Sequence, residues 1–291
     1  MHARETFVES RGARLYVRDV GDGLPIVVVH GGPDFDHEYL LPDLDCLTDA
    51  YRLVYYDQRG RGRSSEGIGP DDVTMRTEME DLDAVRQSLG VDSIILLGHS
   101  WGGLLAMEYA IRSPRRVSHL VLMNTAPASC AGAALLRQEL ARRRSPAESE
   151  AMASIVASDR FRAGDLAVDA EYYRIHFRSA FKQPGLLEQL LGRLRANFTE
   201  AGVVLARQIE DHLYAETWRR DEYDLTPQLA RLPTPTLVIR GADDFVPGAI
   251  AGNIAQAIPR SRLVVLEDCG HFAFIERPEQ VRVCLAEFLS P

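Results

Sequence analysis

Residues 93–110 read SIILLGHSWGGLLAMEYA, and no other stretch narrows the fold as far. A continuous apolar run is how a strand covered on both faces reads. It enters Gly98-His99-Ser100-Trp101-Gly102 and leaves as a helical pattern from Gly103 onward. A G-x-S-x-G turn between strand and helix is so tight that the positions two residues either side of the serine need glycine. Such a turn lifts the serine hydroxyl above the C-terminal end of the strand. The helix N-terminus then points at any negative charge that develops there. The segment predicts a nucleophile at the edge of a buried parallel sheet.

The rest of the chain keeps the same rhythm. RLYVRDV (14–20) alternates polar and apolar residues and predicts an exposed antiparallel strand. PIVVVH (25–30), RLVYYD (52–57), HLVLMN (119–124), TLVIR (236–240) and RLVVLE (262–267) are apolar runs that predict parallel strands covered on both faces. Helical patterns fall between them at 74–90, 103–114 and 278–290. The expected fold is a mostly parallel twisted sheet with helices on both faces and right-handed crossovers. Between 126 and 230 the strands stop. AALLRQELARRR, AESEAMASIVAS, EYYRIHFRSAF and GLLEQLLGRLRANF all read as helices. This predicts one core domain, 1–125 with 231–291, interrupted by a helical cap at 126–230. A chain of 291 residues is long enough for that.

A serine hydroxyl is a weak nucleophile at neutral pH and needs a base, which in turn needs an orienting acid. Two later strand ends supply candidates in the order acid, then histidine. TLVIR runs into Gly241-Ala242-Asp243-Asp244, and RLVVLE into Asp268-Cys269-Gly270-His271-Phe272. His271 is the expected general base and Asp244 the expected orienting carboxylate, with Asp243 the alternative. His99 is expected to pack under the turn, and His119 to begin a core strand. His176 and His212 lie in the helical segment as open substrate contacts. An acyl-transfer oxyanion needs two backbone N–H donors. Trp101 is the first. The loop His30-Gly31-Gly32-Pro33 ends an early strand, and Gly32 is the expected second. Trp101 and Phe272 are the expected substrate-binding side chains.

With HGGP, YYDQRGRGRSS (55–65) and GHSWGG on the page, the chain resembles an α/β-hydrolase over essentially its whole length, and within it the proline iminopeptidase branch. The resemblance implies a serine hydrolase acting on small amides or short peptides without a cofactor or metal. It makes Asp57, Gln58, Arg59 and Gly60 a structural corner under the HGGP loop. Two residues depart from the branch: Asp34 follows Pro33 where glycine is usual, and His99 stands before Ser100 where glycine is usual. GHSWGG is equally at home in esterases and lactonases, which is the alternative reading. A ligand receptor with a slow triad is a further one. An iminopeptidase needs a carboxylate for the substrate amine. Glu210, Asp211, Glu216, Asp221 and Glu222 are candidates, as is the Asp34, Asp36 and Glu38 cluster. Aspartate nucleophiles of dehalogenases and epoxide hydrolases do not fit Ser100. A net charge of −9 argues against nucleic acid and anionic membrane as partners. Four scattered cysteines predict free thiols. The start, MHARETFVESRG, lacks an apolar signal core, and the expected location is the cytoplasm.

Overall fold

The computed structural model describes residues 3–290. One sheet carries eight strands: β1 (Arg4–Ser10), β2 (Ala13–Val20), β3 (Pro25–Val29), β4 (Arg52–Tyr56), β5 (Ile94–His99), β6 (Val117–Met123), β7 (Thr236–Gly241) and β8 (Ser261–Leu266). Their spatial order is β1-β2-β4-β3-β5-β6-β7-β8. β2 runs antiparallel to both neighbours, and every pairing from β4 to β8 is parallel. The inner strands are sealed on both faces, with Val27, Val28, Leu96, Leu97, Val121 and Leu122 at 0% exposure. Covering each such side chain is worth ~1.5–3 kcal/mol.

Helices α1 (Met75–Ser88) and α2 (Trp101–Arg112) follow β4 and β5. Thr74 starts α1 by accepting the Thr77 N–H, which satisfies an end the helix cannot satisfy itself. Between β6 and β7 the chain is helical: α3 (Cys130–Arg143), α4 (Pro146–Ala157), α5 (Asp159–Arg162), α6 (Leu166–His176), α7 (Leu187–Leu194), α8 (Glu200–Glu216) and α9 (Thr226–Leu229). Its one β contact is an isolated bridge from Ser129 to Asp224. Helices α10 (Gly248–Ala257), α11 (Ala273–Glu276) and α12 (Pro278–Leu289) complete the described chain. Among the described residues no helix is long and apolar enough to cross a membrane, and all four cysteines are free.

Three expectations are corrected, and two elements went unmarked. The strand at 14–20 is antiparallel but not exposed: Leu15, Tyr16 and Val17 are buried. Its polar residues are paired instead of solvated, Arg18 with Asp45 at 2.7 Å and Asp19 with Arg52 at 2.7 Å. β1, unmarked in the sequence reading, lies on its outer side. The run at 262–267 is not covered on both faces. It forms the sheet edge, and Leu263 and Val265 are 39% and 42% exposed. The helix expected across 171–181 ends at His176, because the following backbone is diverted to the His271 loop. The Ala180 carbonyl accepts the His271 N–H at 2.7 Å, and Glu276 accepts the Lys182 and Gln183 amides. Finally, α8 is the longest helix of the segment, yet no periodicity singled it out.

Candidate active site

The turn at Ser100 is held in a sparsely populated backbone conformation, φ 54° and ψ −120°. Such a residue costs ~1–3 kcal/mol and persists only where its surroundings insist on it. Here its N–H donates to the Met123 carbonyl, and its own carbonyl accepts from Gly103 and Ala126. A side chain at Gly98 would meet the Gly102 carbonyl oxygen at 2.3 Å, and one at Gly102 would meet Val29 O at 2.1 Å. The two glycines let α2 start this close to β3.

The loops after β7 and β8 bring Asp244 and His271 together. Asp244 Oδ1 accepts from His271 Nδ1 at 2.8 Å, both residues 2% exposed. Oδ1 also accepts the Val246 N–H, and Oδ2 accepts the Asn124 amide at 2.8 Å. Burial alone would raise the Asp244 carboxyl, but the His271 ring and these donors hold it below the usual carboxylate range. Asp243 faces away, pairing with Lys182 at 3.1 Å on the surface. Ser100 and His271 line one cavity of about 130 Å³. Among the described residues no hydrogen bond of 3.5 Å or less joins the Ser100 hydroxyl to His271, a looseness common in empty sites of this kind.

Gly32, at φ +116°, and Trp101 also line the cavity. Trp101 is the first residue of α2, so its N–H has no carbonyl four residues back. The Gly31 N–H is engaged, donating to the Tyr39 hydroxyl at 2.7 Å, which leaves Gly32 as the glycine amide free to serve a ligand. From Tyr39 a relay continues. Its O–H donates to His99 Nδ1 at 2.7 Å, and His99 Nε2 donates to the His271 carbonyl at 3.0 Å. Burial drives the His99 ring down to about 3, so it works as a neutral link. His99 thus ties the HGGP loop, the serine turn and the His271 loop together. The corner residues below do similar service: the Gln58 N–H donates to His30 Nε2, its side chain to the His30 carbonyl, and Arg59 forks onto Asp81.

The remaining wall comes from aromatic groups, Phe35, Trp101, Tyr172, Tyr214, Trp218 and Phe272 among them, with His176 beside them. His212 is not part of it, pairing at 4.0 Å with Asp71 and Glu216. Two carboxylates line the cavity, Asp34 and Glu210, while Asp244 lies behind His271. Asp34 is buried and neutralised: Arg195 Nη2 and the Tyr173 hydroxyl each lie 2.5 Å from its Oδ2. Arg195 continues to Asp169, and Asp169 to Arg207. Glu210 is half-buried and makes no ion pair among the described residues, and its hydrogen-bonding neighbour is the Tyr214 hydroxyl. Burial pushes its carboxyl up to about 8, with the Asp34 charge adding and the nearby Tyr214 hydroxyl pulling back. Asp211, Glu216, Asp221 and Glu222 lie outside the cavity lining, as do Asp36 and Glu38. Asp36 caps a short turn at Glu38 and meets Asn197. Among the described residues no three His, Cys, Asp or Glu side chains converge as metal ligands.

Asn124, Tyr39 and Arg195 went unmarked in the sequence. A signal existed for Asn124 alone: an asparagine directly after the apolar run of β6 suits a left-handed turn, and it adopts φ +47°.

Residues 25–278 match the family described as alpha/beta hydrolase fold, and the chain belongs to that family. It is similar along its length to proline iminopeptidases. That of Lactobacillus helveticus is 28% identical, covering 96% of this chain and 95% of the relative. That of Clostridioides difficile is 29% identical, covering 100% and 99%. A thermophilic esterase from Thermogutta terrifontis superposes with a TM-score of 0.71 at 26% identity, covering 99% of this chain and 98% of that one. The chain is a hydrolase of this fold, in its proline iminopeptidase-like branch.

Proposed function

We propose that the protein works through an acyl-enzyme on small amides or short peptides with a free N-terminal amine, prolyl ones above all. Ser100 attacks the scissile carbonyl carbon. His271 takes the hydroxyl proton and delivers it to the leaving amine, which departs as the carbonyl re-forms. Asp244 holds Nδ1 of His271, keeps Nε2 for the serine and stabilises the imidazolium. The Gly32 and Trp101 amides receive the oxyanion. Water, activated by His271, then releases the acid. Residues 126–230 serve as the cap that walls this face.

The observation that carries the reading is Glu210. Asp34 pairs with Arg195 and Asp169 with Arg207, whereas Glu210, which lines the cavity, has no ion pair among the described residues. A buried ammonium needs a partner charge, and Glu210 supplies one beside the nucleophile. The likeness to proline iminopeptidases supports the same reading. A second reading, small neutral esters or lactones, draws on the same side chain: burial raises the Glu210 carboxyl to about 8, which favours its uncharged form at neutral pH.

The test compares prolyl p-nitroanilide, its N-acetyl derivative and p-nitrophenyl acetate, with Ser100→Ala as the blank. The amine requirement predicts that acetylation lowers kcat/KM by ~100-fold or more. Equal cleavage of the free and acetylated amides overturns the aminopeptidase reading in favour of the esterase one.

A further inference from the structure

Behind the wall of the Ser100 cavity lies a larger space. It is a solvent-open groove of about 710 Å³ lined by residues of α4, α6 and α8 and by α5. Tyr172, Tyr173 and Glu210 line both spaces, so these three side chains form the partition between them. They are not held alike. Tyr173 is buried and donates to Asp34 at 2.5 Å, which in turn is gripped by Arg195. The Tyr172 hydroxyl makes no hydrogen bond among the described residues. Its ring packs against the core and has three aromatic neighbours, Tyr173 at 5.1 Å, Phe161 at 5.3 Å and His176 at 6.0 Å. Glu210 has no ion pair, only the neighbouring Tyr214 hydroxyl. The partition has one fixed post and two that can swing.

The groove behind it is apolar where it meets the partition. Val156, 47% exposed, Phe161 and Val204 supply its apolar surface, and Arg162, Arg207, Gln208 and Asp211 the polar remainder. The Arg207 guanidinium lies over the Phe161 ring at 3.4 Å, with its charge taken up by Asp169. Size points the same way. Pockets that bury a small-molecule ligand run to about 300–1,000 Å³. The Ser100 cavity, at about 130 Å³, is well below that range and the groove is within it.

We propose that Tyr172 and Glu210 set specificity by ending the acyl pocket, and that the groove behind them is a subsite for apolar acyl chains, reached when Tyr172 swings aside. The proposal rests on Ser100 as nucleophile but not on the amine requirement. It is tested with p-nitrophenyl acetate and octanoate, read as the octanoate-to-acetate ratio of kcat/KM within each variant. Wild type favours acetate. Tyr172→Ala raises the ratio by about tenfold or more, the worth of burying a few methylenes. Adding Val204→Trp fills the groove and removes the gain. Circular dichroism checks that each variant is folded, and Tyr172→Val replaces Tyr172→Ala if the latter is not. An unchanged ratio in a folded variant overturns the proposal, and so does a gain that survives Val204→Trp. Prolyl p-nitroanilide is run alongside. Failure of every variant and of wild type on that amide, with the ester ratio still responding, rejects the aminopeptidase reading and leaves the partition standing.

Discussion

Two regions meet at the Ser100 cavity, and they are built to different standards. On the sheet side, the loops after β5, β7 and β8 are fixed by hydrogen bonds in series. Asp244 accepts three, and Tyr39 and His99 link the remaining loops. On the helical side, Tyr172 and Glu210 face the same space without an ion pair, and Trp101, Tyr214 and Trp218 meet edge to face or stacked. The difference separates two tasks. Bond-making needs groups held within a fraction of an ångström. Choosing a substrate needs a surface that can re-form around it. Even Asp34 and Glu210 obey the division: one is clamped by Arg195 and Tyr173, the other is free.

The comparison breaks most visibly at the rigid side. Ser100→Ala and His271→Ala should each lower kcat/KM by on the order of 10⁴-fold or more with melting temperatures little changed. A variant that retained a tenth of the activity would remove that residue from the chemistry. Asp244→Asn should cost ~10³–10⁴-fold, because an amide favours the wrong imidazole tautomer. Asp243→Asn, which loses only a surface pair, should change rate by about twofold at most. The reverse order would move the orienting acid.

Where the regions join, Arg195→Met should lower unfolding free energy in urea by about 3–5 kcal/mol, since it leaves Asp34 and Asp169 short of a buried partner. A loss below about 1 kcal/mol would mean that the junction is solvated. A milder effect is pH dependence on the adaptable side. Glu210, raised to about 8, must lose its proton to pair with an ammonium. The KM for a prolyl amide should therefore fall by about tenfold from pH 6 to pH 7, and level off near 8 as the substrate amine deprotonates. The KM for p-nitrophenyl acetate should stay flat. Parallel profiles for both substrates would take Glu210 out of substrate binding.

The same division explains what could be read from sequence. The serine turn is local: strand, glycines and helix lie within eighteen residues of one another, 93–110, and their spacing dictates the geometry. Asp244 and His271 follow strand ends for the same reason, and the structure puts them in contact. Position within the sheet is not local. An apolar run at 262–267 gives no sign that no strand pairs beyond it, and the polar residues of β2 hide partners 27 and 33 positions away. Arg195 meets Asp34 across 161 residues, so neither could announce the pairing. The wall residues had the weakest signature, because acidic and aromatic side chains on helices usually just face solvent or core. Glu210 stood among five candidates, and only the turn of α8 separates it from Asp211.

The central claim is that a fixed catalytic side is served by an adaptable side whose one free carboxylate selects the amine. Its most direct measurement is KM and kcat of Glu210→Gln on prolyl p-nitroanilide and on p-nitrophenyl acetate. Losing a charged contact of ~1.5–3 kcal/mol should raise the amide KM by about 10–100-fold while kcat and the ester constants stay within about twofold. An amide KM that does not move, or an equal loss on both substrates, would contradict the account.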